Sequence, residues 1–375
     1  VQTGDELTIR PTELVAGGAA MAKVDGLPIF TMNIFPGDVA RIRITDAKKG
    51  YARAELVEII APSPDRRLAP CPIASECGGC DWTALRLDRQ LEAKQRILTE
   101  ALRRIGKFDP ATLPPIGMHP SPLNYRIRSR LQWDPETGAA GFYAIKSNRV
   151  VPLVKECEVV GVETARVYGS GAPAPSPALS VWEIDGRLIT DDRELTVRAG
   201  DFTYALSTRS FFQVNRHLLG TMLRLVEEHA ARVKERRLAI DLYAGVGFFT
   251  LPLARRFERV IAVEGSPESH QYAVRNAPAN VKTAATPVEV WVGNMPRADF
   301  VFLDPPRAGA RRNVIDAVGR KAREMICFLA CDPVTFARDA SRLIASGWRL
   351  ATLDLLDLFP NTHHVETLSS LVRAR

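Results

Sequence analysis

The sequence predicts a multidomain α/β protein: a small N-terminal β-barrel, a β-rich central segment with clustered cysteines, and a C-terminal domain on a mostly parallel sheet. Three observations predict it. Short apolar runs separated by glycine turns fill residues 5–60, three cysteines crowd into residues 71–80, and from about residue 215 strand-like runs alternate with helical pattern. With 375 residues, 46% of them hydrophobic, the chain can build two or three domains with a sizeable core.

Residues 7–9, 28–30, 39–44 and 52–60 read as short, regularly spaced strands, the pattern of a barrel spanning residues 1–61. A proline-rich linker starting Ala61-Pro62-Ser63-Pro64 ends it. Residues 62–205 form the central part. They hold Cys71, Cys77 and Cys80, a helical stretch over 83–106, and a second β-rich segment from 121. In Tyr125-Arg126-Ile127-Arg128-Ser129-Arg130-Leu131 three arginines alternate, so Arg126, Arg128 and Arg130 would share one strand face, either facing RNA or simply solvated. Residues 171–177, rich in proline, read as a flexible or extended loop. The last part, 206–375, has helical pattern over 216–234 and strands near 238–242, 259–263, 300–303 and 325–329, which is βαβ order. Two late strands, 348–359 and 365–372, would close the sheet as a hairpin.

Net charge is +7. Residues 1–60 carry 7 basic and 8 acidic side chains, residues 61–205 carry 19 and 18, and residues 206–375 carry 24 and 17. The excess therefore sits in the C-terminal part, which permits a polyanionic partner there. No apolar run approaches the ~18 residues that would suggest a membrane span. The first residues show no basic or apolar leader pattern, so a cytoplasmic protein without membrane partners, and a monomer, is expected. In such a setting C-x5-C-x2-C is poor disulfide spacing and good metal-ligand spacing.

Asp241-Leu242-Tyr243-Ala244-Gly245-Val246-Gly247 follows a strand and opens a helix, where glycines let the backbone turn tightly and approach a ligand. The next strand ends in Glu264, an acid that can accept hydrogen bonds from a ribose diol, and the third in Asp304-Pro305-Pro306-Arg307. Singly, each has a plainer account as a turn or a solvated strand-end acid. Cys331 lies at a strand-to-helix turn with Asp332 as N-cap and Pro333 first in the helix, where free N–H groups and the helix dipole favour a thiolate. Asp332 opposes this, since an adjacent negative charge raises a thiol pKa.

Such a thiol suits methylation at carbon 5 of uracil, a poor nucleophile. Thiolate addition at carbon 6 creates an enolate able to attack a methyl sulfonium, after which a base removes the carbon-5 proton and the thiol leaves. Glu366, after His363 and His364 at the start of the last strand, is the candidate base. Adjacent histidines of one strand would point to opposite faces, which disfavours a metal site there. Cys327, inside an apolar run, reads as core.

Together these residues resemble the RNA 5-methyluridine (uracil-C5) methyltransferase family. The match is ordered: Ser210-Phe211-Phe212-Gln213-Val214-Asn215, then Asp241 to Gly247, Glu264, Asp304 to Arg307, Cys331 to Asp339, and Phe359 to Thr367. The resemblance implies a C-terminal Rossmann-like S-adenosylmethionine-dependent methyltransferase, with Gln213, Tyr243, Gly245, Glu264 and Asp304 around the cofactor, Cys331 as nucleophile and Glu366 as base. It implies that the barrel is a TRAM domain, an OB-like RNA-binding module, and that the helix around 85–107 can pack on the catalytic domain. Cys71, Cys77, Cys80 and Cys157 match the four-cysteine pattern of the ribosomal-RNA branch. Four thiolates suit a [4Fe–4S] cluster or zinc on ligand chemistry, and the resemblance favours a structural cluster.

The implied activity is methylation of carbon 5 of a uridine in 23S ribosomal RNA, flipped from a loop. The rivals are the transfer-RNA T-loop uridine, a small-molecule or protein methyltransferase, and a non-catalytic RNA-binding protein. Three features depart from the family pattern. Asp332 replaces a common asparagine, Pro306 stands where alanine is frequent, and no adenine-side acid can be placed between Asn276 and Asp299.

Overall fold

The computed structural model describes residues 1–134, 136–172 and 178–374; most of the proline-rich loop, residues 173–177, lies outside the described residues. Packing groups the chain into two units: Val1–Leu98, Arg130–Leu179 and Phe359–His364 in one, and Thr99–Ser129, Ser180–Leu358 and Val365–Arg375 in the other.

The first unit begins with a six-stranded sheet in the order Glu6–Ile9, Val39–Ala47, Ala52–Ala61, Leu27–Thr31, Ala20–Val24, Glu13–Leu14. Alternation decides its faces. Ala40, Ile42 and Ile44 point inward and are fully buried, while Arg41 and Arg43 point outward and pair with Glu6, Glu55 and Glu58. The balanced charge of the barrel is thus spent on exposed cross-strand pairs, each worth little energetically. The linker is tied back by Asp38, wholly buried, which accepts from the backbone N–H of Phe35 (2.7 Å) and Ser63 (2.8 Å) and from Arg66 Nε and Nη2 (both 2.7 Å). Strands Ala140–Tyr143 and Val150–Pro152 pair further along. Helix Leu87–Arg104 starts in this unit, four residues later than the helical pattern suggests, because Trp82 and Leu85 are buried in an ordered turn before it.

The second unit is built on an eight-stranded sheet, ordered Val281–Ala285, Arg259–Glu264, Leu238–Leu242, Ala298–Leu303, Ala322–Ala330, Glu366–Arg373, Trp348–Leu356, Ile116–His119. The first five are parallel neighbours; Glu366–Arg373 runs antiparallel to both strands beside it. Strand Ala298–Leu303 is buried throughout, as expected when both faces of a sheet are covered. The two late strands do pair as the sequence suggests, but the second inserts between Ala322–Ala330 and Trp348–Leu356 instead of closing an edge. The outer edge is taken by Ile116–His119, parallel to Trp348–Leu356. That four-residue strand lies between prolines and carries no usable sequence signal. The expected arginine strand starts at Arg128 instead of Tyr125; Arg126 sits in an isolated bridge opposite Asn215.

Candidate active site

Register gathers the candidate residues. Leu242 pairs with Val263 and Leu303, Leu303 with Phe328, and Ala330 with Thr367. Tyr243, Glu264, Asp304 and Cys331 therefore leave the sheet at one edge, its carboxyl edge. Glu366, first in the antiparallel strand, begins there, although it lies 35 residues after Cys331 in the chain.

The turn after Leu238–Leu242 needs unusual backbone: Gly245 and Gly247 have φ of 57° and 91°, and Tyr243, a bulky residue, has 63°. A Cβ on Gly245 would meet nothing within 4 Å, so glycine is required for conformation rather than space. Glu264 holds the turn, accepting from Gly245 N (2.8 Å) and Ser266 N (2.6 Å). Behind the turn Tyr204 donates to Phe248 O (2.9 Å) and Asn276 Nδ2 to Val246 O (2.9 Å).

Two carboxyls stand beneath it. Asp241 accepts from Thr250 Oγ1 (2.5 Å), and its other oxygen, also buried, has no hydrogen-bond partner among the described residues. Burial pushes its pKa up to about 7, against the pull of the Thr250 hydrogen bond. Asp304 is pushed up to about 7 as well, by burial first and then by the charge of Asp241, while Gln213 Nε2 donates to it at 3.1 Å and favours its ionised form. Gln213 and Asp304, distant in sequence, thus meet. Tyr243 OH donates to Glu289 Oε1 at 2.9 Å. Glu289 lies in the stretch where no acid could be placed from sequence. Its helix, Val288–Trp291, has only four residues and shows no periodicity to mark it.

Cys331 is half-buried. The turn has the expected form, with Asp332 accepting from Thr335 N (2.8 Å) and Pro333 opening helix Pro333–Ala345. Of the two opposed influences expected there, the one against a thiolate wins. Burial pushes the Cys331 thiol up to about 12, and the charges of Glu366, Asp304 and Asp332 add to that, outweighing the helix end. Burial and these charges thus favour the protonated thiol. Cys327, four residues earlier, is fully buried in the core.

The three arginines separate. Arg128 donates to Ser180 Oγ (2.9 Å) and Ser210 O (2.7 Å) and stacks on Trp182, so it is engaged internally, whereas Arg130 is exposed and Arg126 half-buried. His363 and His364 precede the last strand instead of lying in it. Their rings stack 4.5 Å apart, and His363 Nδ1 meets Asp81 Oδ2 at 2.5 Å.

In the first unit Cys71, Cys77, Cys80 and Cys157 line one small cavity, of about 20 Å³, with apolar walls from Ile73, Phe142 and Leu153. Burial and the neighbouring Cys157 and Cys77 push the Cys71 thiol up to about 11. Among the described residues, no group of three or more His, Cys, Asp or Glu is arranged to hold a metal ion. Beside the cavity lies Asn361, wholly buried with φ of 67°. Its carbonyl accepts from the N–H groups of Asp81 and Trp82 (both 3.0 Å), and its side chain bonds Arg67 (3.0 Å), Gln90 (3.0 Å) and Glu158 (2.9 Å).

A mostly parallel sheet with a glycine turn after its central strand and acids at successive strand ends defines a Rossmann-like methyltransferase domain. The family described as tRNA (uracil-5-)-methyltransferase matches residues 187–289 and 294–374, and the TRAM domain matches residues 1–57. An uncharacterised RNA methyltransferase of Corynebacterium efficiens is 31% identical over 404 residues, 99% of this chain and 95% of that protein. One of Gloeobacter violaceus is 28% identical over 447 residues, covering 99% and 97%. Among solved structures, the Pyrococcus abyssi tRNA (uracil-54, C5)-methyltransferase in complex with S-adenosyl-L-homocysteine shares the fold, with a TM-score of 0.72 at 21% identity over 98% of this chain and 100% of that one. The chain belongs to the RNA uracil-5-methyltransferase family, S-adenosylmethionine-dependent enzymes acting on RNA, with an N-terminal TRAM domain. Among the described residues no helix is long and apolar enough to cross a membrane.

Proposed function

We propose that the protein methylates carbon 5 of a uridine in 23S ribosomal RNA, with Cys331 as nucleophile and Glu366 as base. The observation that carries this chemistry is the register pairing of Ala330 with Thr367, which sets Cys331 and Glu366 at neighbouring positions on the carboxyl edge. Gln213, Tyr243, Gly245, Glu264 and Asp304 would hold S-adenosylmethionine, with Glu264 as ribose acceptor and Glu289 as the adenine-side acid. S-adenosylmethionine supplies an electrophilic methyl group when bound. Because the protonated form of the Cys331 thiol is favoured, its proton passes to a neighbouring carboxylate as sulfur bonds to carbon 6 of uracil. The electron pair of the C5–C6 double bond becomes an enolate, and carbon 5 would take the methyl as the methyl–sulfonium bond breaks, its electron pair staying on that sulfur. Glu366 then removes the carbon-5 proton, C5–C6 reforms as a double bond, and sulfur leaves carbon 6 as a thiolate that takes its proton back from the carboxylate that received it.

The barrel (1–61) serves as RNA-binding module, residues 62–205 as the cysteine-bearing part, and 206–375 as the catalytic domain. Cys71, Cys77, Cys80 and Cys157 would ligate a structural [4Fe–4S] cluster, zinc being the alternative. Four cysteines lining one apolar-walled void have the ligand chemistry that either takes, although among the described residues they are not arranged to hold an ion. Arg130 and Arg126 are candidates for RNA contact. The family description and the Pyrococcus enzyme favour a second reading, the T-loop uridine of transfer RNA.

Nucleoside mass spectrometry tests both. Protein prepared without oxygen is incubated with S-adenosylmethionine and unmodified ribosomal or transfer RNA in separate tubes. 5-Methyluridine in ribosomal RNA alone supports the first reading; its appearance in transfer RNA alone replaces it with the second. Iron, sulfide and zinc analysis of the same protein distinguishes the metals. A Cys331→Ala variant should bind S-adenosylhomocysteine normally and methylate nothing, and retained methylation would end the covalent mechanism.

A further inference from the structure

The loop that follows Asp304-Pro305-Pro306-Arg307 and the helix that follows Cys331 enclose a recess of about 500 Å³, lined by residues 308–313 with Arg338 and Arg342. It is a built feature. Asp339, wholly buried, accepts from Ala310 N (3.0 Å) and pairs with Arg338, which also donates to Ala308 O (3.2 Å). Gly309 fits so closely that a Cβ there would lie 2.4 Å from Arg338 and 2.7 Å from Asp339. The loop is thereby fastened to helix Pro333–Ala345.

Its charge is not balanced. Arg338 is matched by Asp339 and Arg312 faces Asp316 at 3.7 Å, but among the described residues Arg311 and Arg342 have no ion-pair partner. The N-terminus of the ten-residue helix Arg312–Lys321 opens into the same recess with no side-chain cap, which adds unmatched backbone N–H groups. Two unpaired guanidinium groups and a helix N-terminus facing one concavity suit phosphate oxygens, which arginine can bind bidentately. Both walls rise from the sheet edge that carries Asp304 and Cys331.

We propose that this recess binds backbone phosphates of the RNA strand flanking the target uridine, with Arg311 and Arg342 as the contacts. The proposal rests on Cys331 marking the reaction centre, but its test reads binding and not methylation. The titration uses the full chain and a fluorescein-labelled stem-loop RNA with unpaired loop uridines, followed by anisotropy at several salt concentrations. Two phosphate contacts to a single strand predict that an Arg311→Gln/Arg342→Gln variant loses about 1.4 from the slope of log affinity against log salt, at about 0.7 per contact. Its affinity should fall at least tenfold at low salt, with S-adenosylhomocysteine binding unchanged. The Arg311→Lys/Arg342→Lys variant should recover most of the slope, because a point charge still releases counterions. Arg224→Gln, an exposed arginine of helix Leu219–Ala231, should match wild type. A double glutamine variant with wild-type slope and affinity overturns the proposal. So does one that loses S-adenosylhomocysteine binding while holding RNA normally, since the recess would then belong to the cofactor.

Discussion

Replacing Glu366 with glutamine should speed one reaction of Cys331 and stop another. Burial and neighbouring carboxylates push the Cys331 thiol up, so little of it is ionised at pH 7. Burial is the main cause and stays in the variant; the charge of Glu366 is the next cause and is removed. A like charge in a partly buried site is worth about one pKa unit or more, hence about tenfold in thiolate. The lower basicity of that thiolate returns about threefold of the gain, leaving alkylation by iodoacetamide about threefold faster in the variant. Turnover should move the other way. Loss of a general base costs about 10²- to 10⁴-fold, and the block falls after methyl transfer, so an RNA–protein adduct stable to denaturing gels should accumulate. The assays are alkylation followed by intact-protein mass spectrometry, and gel analysis of adduct with labelled RNA. Unchanged alkylation together with turnover within tenfold of wild type would refute the placement of Glu366 beside Cys331.

Asn361→Ala removes three side-chain hydrogen bonds and puts alanine at φ of 67°. Arg67 and Glu158 still pair with each other at 2.5 Å, so no charge is orphaned and the cost is about 3–4 kcal/mol, measurable by urea unfolding. His229 is 2% exposed, neither ring nitrogen has a hydrogen-bond partner among the described residues, and burial lowers its pKa to about 4. Its folded pKa lies below the unfolded value near 6.5, so its contribution is intact above pH 6.5 and is lost as pH falls toward 4. The loss is about 2 kcal/mol by pH 5. Asp241 and Asp304, raised to about 7, run oppositely: what they contribute is present at low pH and is lost as pH rises through 7. The histidine effect is therefore isolated by comparing wild type with His229→Leu: the variant's unfolding free energy minus that of wild type should rise by about 2 kcal/mol as pH drops from 7 to 5. A constant difference would show that folding does not lower the His229 pKa.

The sheet and its candidate catalytic edge were legible because their signals are local. Periodicity marked the parallel strands, and Asp332-Pro333 after an apolar run marked the turn bearing Cys331. Other features depend on distant residues. Whether Cys331 is ionised is decided by burial and by Asp304 and Glu366, so helix-end reasoning alone pointed the wrong way. Arg128 looked like a surface charge until Trp182 and Ser210 closed on it. Glu289 sits in one helical turn, too short to show a period, and the interior position of the last strand follows from pairing that no local pattern encodes. Asn361 carried no mark in the sequence, because its partners Arg67, Gln90 and Glu158 are far from it along the chain.

That interior strand bears on when the enzyme becomes active during its own synthesis. Residues 366–373 fill a gap between two strands made earlier, so a nascent chain halted before them holds the glycine turn and Cys331 beside two unsatisfied strand edges. Such a chain lacks both Glu366 and the strand that completes the sheet. The carboxyl edge that carries Cys331 is therefore completed only when residues 366–373 are in place. Stalled chains ending before residue 366 should form no adduct with RNA, and adduct formation by them would show that the edge closes without the last strand.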